Sequence, residues 1–253
     1  MTRGQIAIKR RRLWIVLGVI LAAILLVCAG FAVYVGDYYH ADETAVQAMA
    51  IADDVAVGKT DGDTIVFAPS SPKAGLIFYP GGKVEYTAYA PLMRSCAEEG
   101  ILCILVKMPC NLAMLDMNAA DGIAEQYPDI DRWYIGGHSL GGAMAAAYAA
   151  DHSGELDGLI LLAAYSTKDL KDSGLDVLSV YGSEDQVLNR EKYEEYQENL
   201  PSGTTEIIIE GGCHAGFGSY GPQKGDGTPM ITGEEQVMRT ASEIADIMLG
   251  VGH

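Results

Sequence analysis

The sequence predicts an α/β fold: a mostly parallel sheet with helices on both faces and no large cap, preceded by an N-terminal transmembrane helix. Three observations carry this expectation. Short apolar runs alternate with longer stretches of helical spacing from Gly75 onward, the pattern of parallel strands joined by right-handed crossovers. A long uncharged run lies near the start. The connection after the fourth of these strands, "AYSTKDLKDSGL", is too short to hold a helical cap.

In chain order, "MTRGQIAIKRRR" carries five basic residues (Arg3, Lys9, Arg10, Arg11 and Arg12) and no acid. Leu13 to Val35 follows without a charge over 23 residues, a helix of ~35 Å and enough to cross a bilayer. Basic residues stay on the cytoplasmic side, so the remainder is expected outside the cell membrane, on a single-pass anchor. A cleaved signal peptide is the alternative, with Val27-Cys28-Ala29 as its cleavage site, but its apolar region is usually only ~7 to 15 residues long. The expected organisation is a basic cytoplasmic segment (1–12), an anchor (13–35), a polar stalk with one or two helical turns (36–54) and a globular domain (55–253).

Beyond residue 35 the chain keeps 12 basic residues against 34 acidic ones, a formal charge of −22. Such a surface repels phosphate backbones and anionic headgroups, so no nucleic-acid partner is expected. Cys96, Cys103, Cys110 and Cys213 are too few for a disulfide-built scaffold and lack paired zinc spacing; one disulfide and buried free thiols both stay open.

Asp61-Gly62 between "DVAVGKT" and "DTIVFAP" predicts a hairpin. The expected strands are then Gly75–Tyr79, Leu102–Val106, Trp133–Gly137, Gly158–Ala163, Asp176–Tyr181 and Glu206–Glu210. Helical spacing is read in "YTAYAPLMRSCAEEG", "LAMLDMNAADGIAEQY", "GGAMAAAYAADH", "NREKYEEYQENL" and "GEEQVMRTASEIADIMLG". In such a sheet ligands bind at the carboxyl ends of the strands.

Gly137-His138-Ser139-Leu140-Gly141 fits G-x-S-x-G between an expected strand and an alanine-rich helix, the setting in which small neighbours let a serine stand above the sheet edge. A serine helix cap in a glycine-rich turn is the bland alternative. Serine is a weak nucleophile without a base, and the base needs an orienting carboxylate. Asp185, in "VYGSEDQVL", and His214, in "IIIEGGCHAGFG", each follow a later strand at its carboxyl end. Glu184 rivals Asp185, with Asp169 the next candidate, and Cys213-His214 lacks a recognisable third metal ligand. His40, His152 and His253 are expected in solvent, and His138 in packing. "YPGGKVEY" after the first core strand should supply one oxyanion donor, the Gly82 N–H or else that of Lys83, to join the Leu140 N–H.

On "FYPGGKVEYTAYAPL", "VKMPCNLAMLDMNAA", "GGHSLGGAMAA", "YGSEDQV" and "EGGCHAGFGSYGPQKGDG", spanning roughly Val55 to Gly250, the chain resembles the α/β-hydrolases, and within them the membrane-anchored bacterial dienelactone-hydrolase-like group. The resemblance implies the fold, the triad and acyl-hydrolase chemistry. Ser139 stands where dienelactone hydrolases use cysteine, so lactonase activity does not carry over. The expected enzyme is a carboxylesterase-like serine hydrolase acting on a small-molecule ester through an acyl-enzyme, without metal or organic cofactor. Its site should be open, walled by "KMPCNLAM" and "GFGSYGPQKGDGTPM". A non-catalytic tethered binding protein, a peptidase and an acyltransferase remain the alternatives.

Overall fold

The computed structural model describes residues 3–50, 54–60 and 63–250. The chain divides into two compact units, Met1–Tyr38 and Tyr39–His253. The first is one helix, α1 (Arg3–Gly36). Its stretch Trp14–Gly36 is long and apolar enough to span a membrane, and side chains such as Trp14, Leu21 and Leu26 are exposed along it.

The second unit is built on an eight-stranded sheet. Its strands are β1 (Val55–Lys59), β2 (Ile65–Pro69), β3 (Ala74–Tyr79), β4 (Ile101–Leu105), β5 (Trp133–His138), β6 (Gly158–Leu162), β7 (Asp176–Gly182) and β8 (Thr205–Ile209), in the order β1-β2-β4-β3-β5-β6-β7-β8. β1 and β2 form an antiparallel hairpin with Lys59 opposite Ile65; the Asp61-Gly62 turn itself lies outside the described residues. β2 also pairs antiparallel with β4, and every pair from there to β8 is parallel.

The central strands read as continuous apolar runs because both faces are covered. Along β3, Leu76 and Phe78 enter one core, while Ile77 and Tyr79 enter the other. The first core lies under α3 (Ala90–Glu98) and α6 (Gly233–Leu249), the second under α4 (Leu140–Asp151). Alanines 145, 146 and 149, all fully buried, let α4 lie close against the sheet. The Thr232 hydroxyl caps α6 by accepting the Glu235 N–H at 3.1 Å, and Gly250 stops it in a left-handed conformation (φ 67°). α5 (Arg190–Tyr196) starts at Asn189, whose side chain accepts the Lys192 N–H.

Two segments differ from expectation. The stretch 112–127 is not a helix but a run of turns, with single 3-10 turns at Ala113–Leu115 and Ala124–Gln126. Asp116, Asn118 and the Asp121-Gly122 pair, with Gly122 at φ 69°, favour turns over helix propagation. The Tyr79 hydroxyl then serves the freed backbone, donating to the Met117 carbonyl at 2.8 Å and accepting the Ala120 N–H at 2.9 Å. The second segment is the expected stalk, most of which packs on the globular unit. Tyr39 bridges to Val84, and α2 (Glu43–Ala48), capped by Asp42, buries Ala45. The β6–β7 connection contains no helix among its residues 163–175, consistent with the absence of a large cap.

Candidate active site

The sheet register brings the relevant loops to one edge. Tyr79 of β3 lies beside Gly137 of β5, His138 beside Leu162 of β6, and Gly182 of β7 beside Ile209 of β8. The segments beginning at Pro80, Ser139, Ser183 and Glu210 therefore all leave the carboxyl edge.

β5 ends at His138 and α4 begins at Leu140, so Ser139 alone makes the turn. Its backbone sits at φ 52°, ψ −120°, a conformation that costs an L-residue roughly 1–3 kcal/mol and is held by its surroundings. The Ser139 N–H donates to the Leu162 carbonyl at 2.9 Å, and its carbonyl accepts the Ala143 N–H at 3.1 Å. The hydroxyl makes no capping bond, which removes the helix-cap reading. Close approach explains the glycines: a Cβ on Gly141 would stand 2.3 Å from the Tyr79 and Pro80 carbonyl oxygens, and one on Gly137 would stand 2.6 Å from the Gly141 carbonyl carbon.

Asp185 and His214 meet. Asp185 Oδ2 and His214 Nδ1 are 2.8 Å apart, with both side chains buried. Asp185 Oδ1 accepts the Val187 and Leu188 N–H groups, each at 2.8 Å, so its carboxylate is held by three bonds. Glu184 is only half-buried and its Oε1 accepts the Ser183 hydroxyl instead. Asp169 accepts the Lys171 N–H in its own loop. His214 Nε2 is buried without a hydrogen bond; a Ser139 Oγ to His214 Nε2 bond is thus not formed in this structure. His214 nevertheless stands against the elbow, its ring centroid 4.5 Å from that of His138.

The amides after β3 differ in their partners. The Gly81 N–H donates to the Tyr89 hydroxyl at 3.0 Å and the Lys83 N–H to the Asn111 carbonyl at 2.8 Å. Neither the Gly82 nor the Leu140 N–H meets an acceptor among the described residues. These two residues adjoin, since a Cβ on Gly82 would lie 2.8 Å from Leu140 Cδ2. The geometry favours Gly82 over Lys83 as the donor beside Leu140.

Several supporting residues carried no sequence signal. Asp226, half-buried, accepts the N–H groups of His214 (3.2 Å), Ala215 (2.8 Å), Gly227 (2.8 Å) and Gln186 (3.3 Å). Burial pushes its carboxyl up, but the backbone donors together outweigh this and hold it below the usual carboxylate range. Gln236, fully buried, clamps Cys213 by accepting its N–H at 3.0 Å and donating to its carbonyl at 2.8 Å. The loop bearing His214 is thus fixed from two sides, both by residues distant in sequence.

His138 is buried, and its ring packs against His214 and Phe217 while Nδ1 lies 2.8 Å from the Tyr89 hydroxyl. Burial, reinforced by the neighbouring His214, pushes its imidazole well below the ordinary value. His40 is exposed, but His152 is half-buried at the end of α4, stacked on Tyr148 with centroids 3.9 Å apart; His253 lies outside the described residues. Cys96, Cys103 and Cys213 are buried free thiols, Cys28 and Cys110 exposed ones. Burial and the nearby Asp226 push the Cys213 thiol up to about 11. Among the described residues no three His, Cys, Asp or Glu side chains gather as metal ligands.

A sequence profile of the Alpha/beta hydrolase family matches residues 75–238. Similar solved structures include a CIB-like hydrolase from Thermoplasma acidophilum (19% identity, TM-score 0.53, 76% of this chain and 99% of that one). Est1E from Butyrivibrio proteoclasticus is also similar (13%, TM-score 0.55, 78% and 100%). A third is dienelactone hydrolase from Anabaena variabilis (15%, TM-score 0.54, 79% and 96%). At these identities the likeness concerns the fold. No curated protein matches the chain significantly in sequence. From its strand order, its elbow and the profile spanning most of the globular unit, the chain belongs to the alpha/beta hydrolase family.

Proposed function

We propose that the protein is a serine hydrolase that cleaves small carboxylic esters through an acyl-enzyme. The observation that carries this reading is the strained Ser139 at the strand–helix junction, at an edge shared with a buried Asp185–His214 pair. Ser139 Oγ bonds to the ester carbonyl carbon, its proton passes to His214 Nε2, and the carbonyl electron pair moves onto oxygen beside the Gly82 and Leu140 amides. Collapse expels the alcohol, which takes the proton from His214. Water then repeats the sequence on the acyl-enzyme, releasing the acid and restoring Ser139. Asp185 keeps the Nδ1 proton of His214 in place and stabilises the imidazolium formed during transfer.

A fluorophosphonate probe should label the protein at Ser139 and leave Ser139→Ala unlabelled. Labelling that persists in Ser139→Ala, or never occurs, would remove the enzyme reading and favour a tethered binding protein. Activity on a panel of esters, thioesters and peptides then separates esterase from peptidase.

The domain is proposed to face the outside of the cell membrane, on the strength of the basic residues preceding the apolar Trp14–Gly36 stretch. Protease added to intact protoplasts should digest it and spare the first dozen residues. Full protection would reverse the orientation.

A further inference from the structure

Three consecutive amides follow β3, and the outer two are tied. Lys83 is held by the Asn111 carbonyl, Gly81 by the Tyr89 hydroxyl. Only the second tie runs into the elbow, because the same hydroxyl is 2.8 Å from His138 Nδ1.

The Tyr89 oxygen accepts the Gly81 N–H and shares a hydrogen bond with His138 Nδ1, so one hydroxyl joins the amide to the elbow. Burial favours the neutral form of both groups, raising the Tyr89 phenol and lowering the His138 imidazole. Neither can drift: Tyr89 is fully buried with its ring 5.3 Å from that of Phe78, and His138 is wedged against His214 and Phe217. The fit is tight as well, since a Cβ on Gly81 would lie 2.6 Å from the Tyr89 oxygen and 2.8 Å from His138 Nδ1.

We propose that Tyr89 and His138 are positioning residues that lock the Gly81–Gly82 peptide to the serine elbow and so aim the Gly82 amide at the developing oxyanion. This rests on the serine-hydrolase reading above. Its consequence is that the oxyanion donor, the residue before the nucleophile and the face of His214 are held in one packed assembly. An amide displaced by ~1 Å can cost about 100-fold in rate, and loss of one oxyanion donor costs about 100- to 1,000-fold.

The test uses the full-length protein, p-nitrophenyl butyrate as substrate and a trifluoromethyl ketone whose adduct with serine carries the same oxyanion. In Tyr89→Phe, kcat should fall roughly 10- to 100-fold with KM nearly unchanged, and the ketone's inhibition constant should rise by the same factor. His138→Phe, which keeps a buried ring but cannot hydrogen-bond the Tyr89 hydroxyl, should behave likewise, and it serves if Tyr89→Phe does not fold. Tyr86→Phe is the control: it loses a hydroxyl bond to the Asp63 carbonyl (2.9 Å) from the same turn and should leave both values unchanged. Unchanged ketone affinity in the Tyr89 and His138 variants, or equal losses in Tyr86→Phe, would overturn the proposal and leave the hydrolase reading standing. Full turnover by Ser139→Ala would overturn both.

Discussion

Asp185 and Glu184 are neighbours in the chain with opposite surroundings, and the difference decides what each can do. Asp185 is buried with three hydrogen bonds, one from His214 Nδ1; Glu184 is half-buried and, among the described residues, its side chain holds only a serine hydroxyl. Asp185→Asn should therefore lower kcat on an activated ester by roughly 10⁴-fold through the wrong imidazole tautomer, with Glu184→Gln far milder. A larger loss for Glu184→Gln would transfer the role. Asp226 should matter differently, by holding the His214 loop. Its carboxyl is depressed in the folded state, so the stability it supplies is present above the unfolded pKa near ~3.9 and is lost as pH falls through the folded value. Asp226→Asn should cost about 1–3 kcal/mol near pH 7, and the gap from wild type should close below about pH 4 in chemical denaturation. Cysteine exposure gives a simpler check. A thiol reagent under native conditions should modify Cys110 and spare Cys96, Cys103 and Cys213 until the protein unfolds.

At the scale of elements, the elbow is tightly constrained. Gly141→Ala places a methyl group against two backbone carbonyl oxygens that cannot swing away, so it should destabilise the fold by about 1–3 kcal/mol or more and abolish probe labelling. Gly154→Ala, where an added Cβ meets nothing within 4 Å, should be neutral in the same thermal melt. The elbow was legible in sequence because its requirements are local: a strand, one residue and a helix, with small neighbours. The segment 112–127 is not legible in the same way, for the opposite reason. Its apolar spacing looks helical, but Met114, Leu115 and Met117 are exposed, and a tyrosine from β3 takes over its backbone bonding. Apolar spacing records which residues avoid water on average; it does not say whether a face is there to receive them.

At the scale of the molecule, the two compact units imply that a chain starting at Tyr38 should retain the cooperative melt of the globular unit and leave the membrane fraction, while the full chain sediments with membranes. Loss of the melt would show that α1 contributes to folding. The sequence by itself determined the alternation of strands and helices, the strand–Ser139–helix elbow and the order Ser139, Asp185, His214, because periodicity, turn chemistry and motif order are written in contiguous residues. Tertiary structure alone decided that Asp185 reaches His214, that Gly82 and not Lys83 keeps an unengaged amide, and that Tyr89, Asp226 and Gln236 brace the site. The Asp185–His214 and Tyr89–His138 contacts join segments that meet only when the strands pair, while Asp226 and Gln236 fold back onto the His214 loop from further along the chain. Tyr89 lies 49 positions from His138 and Gln236 lies 23 from Cys213, and no local pattern marks a side chain for a partner that far along the chain.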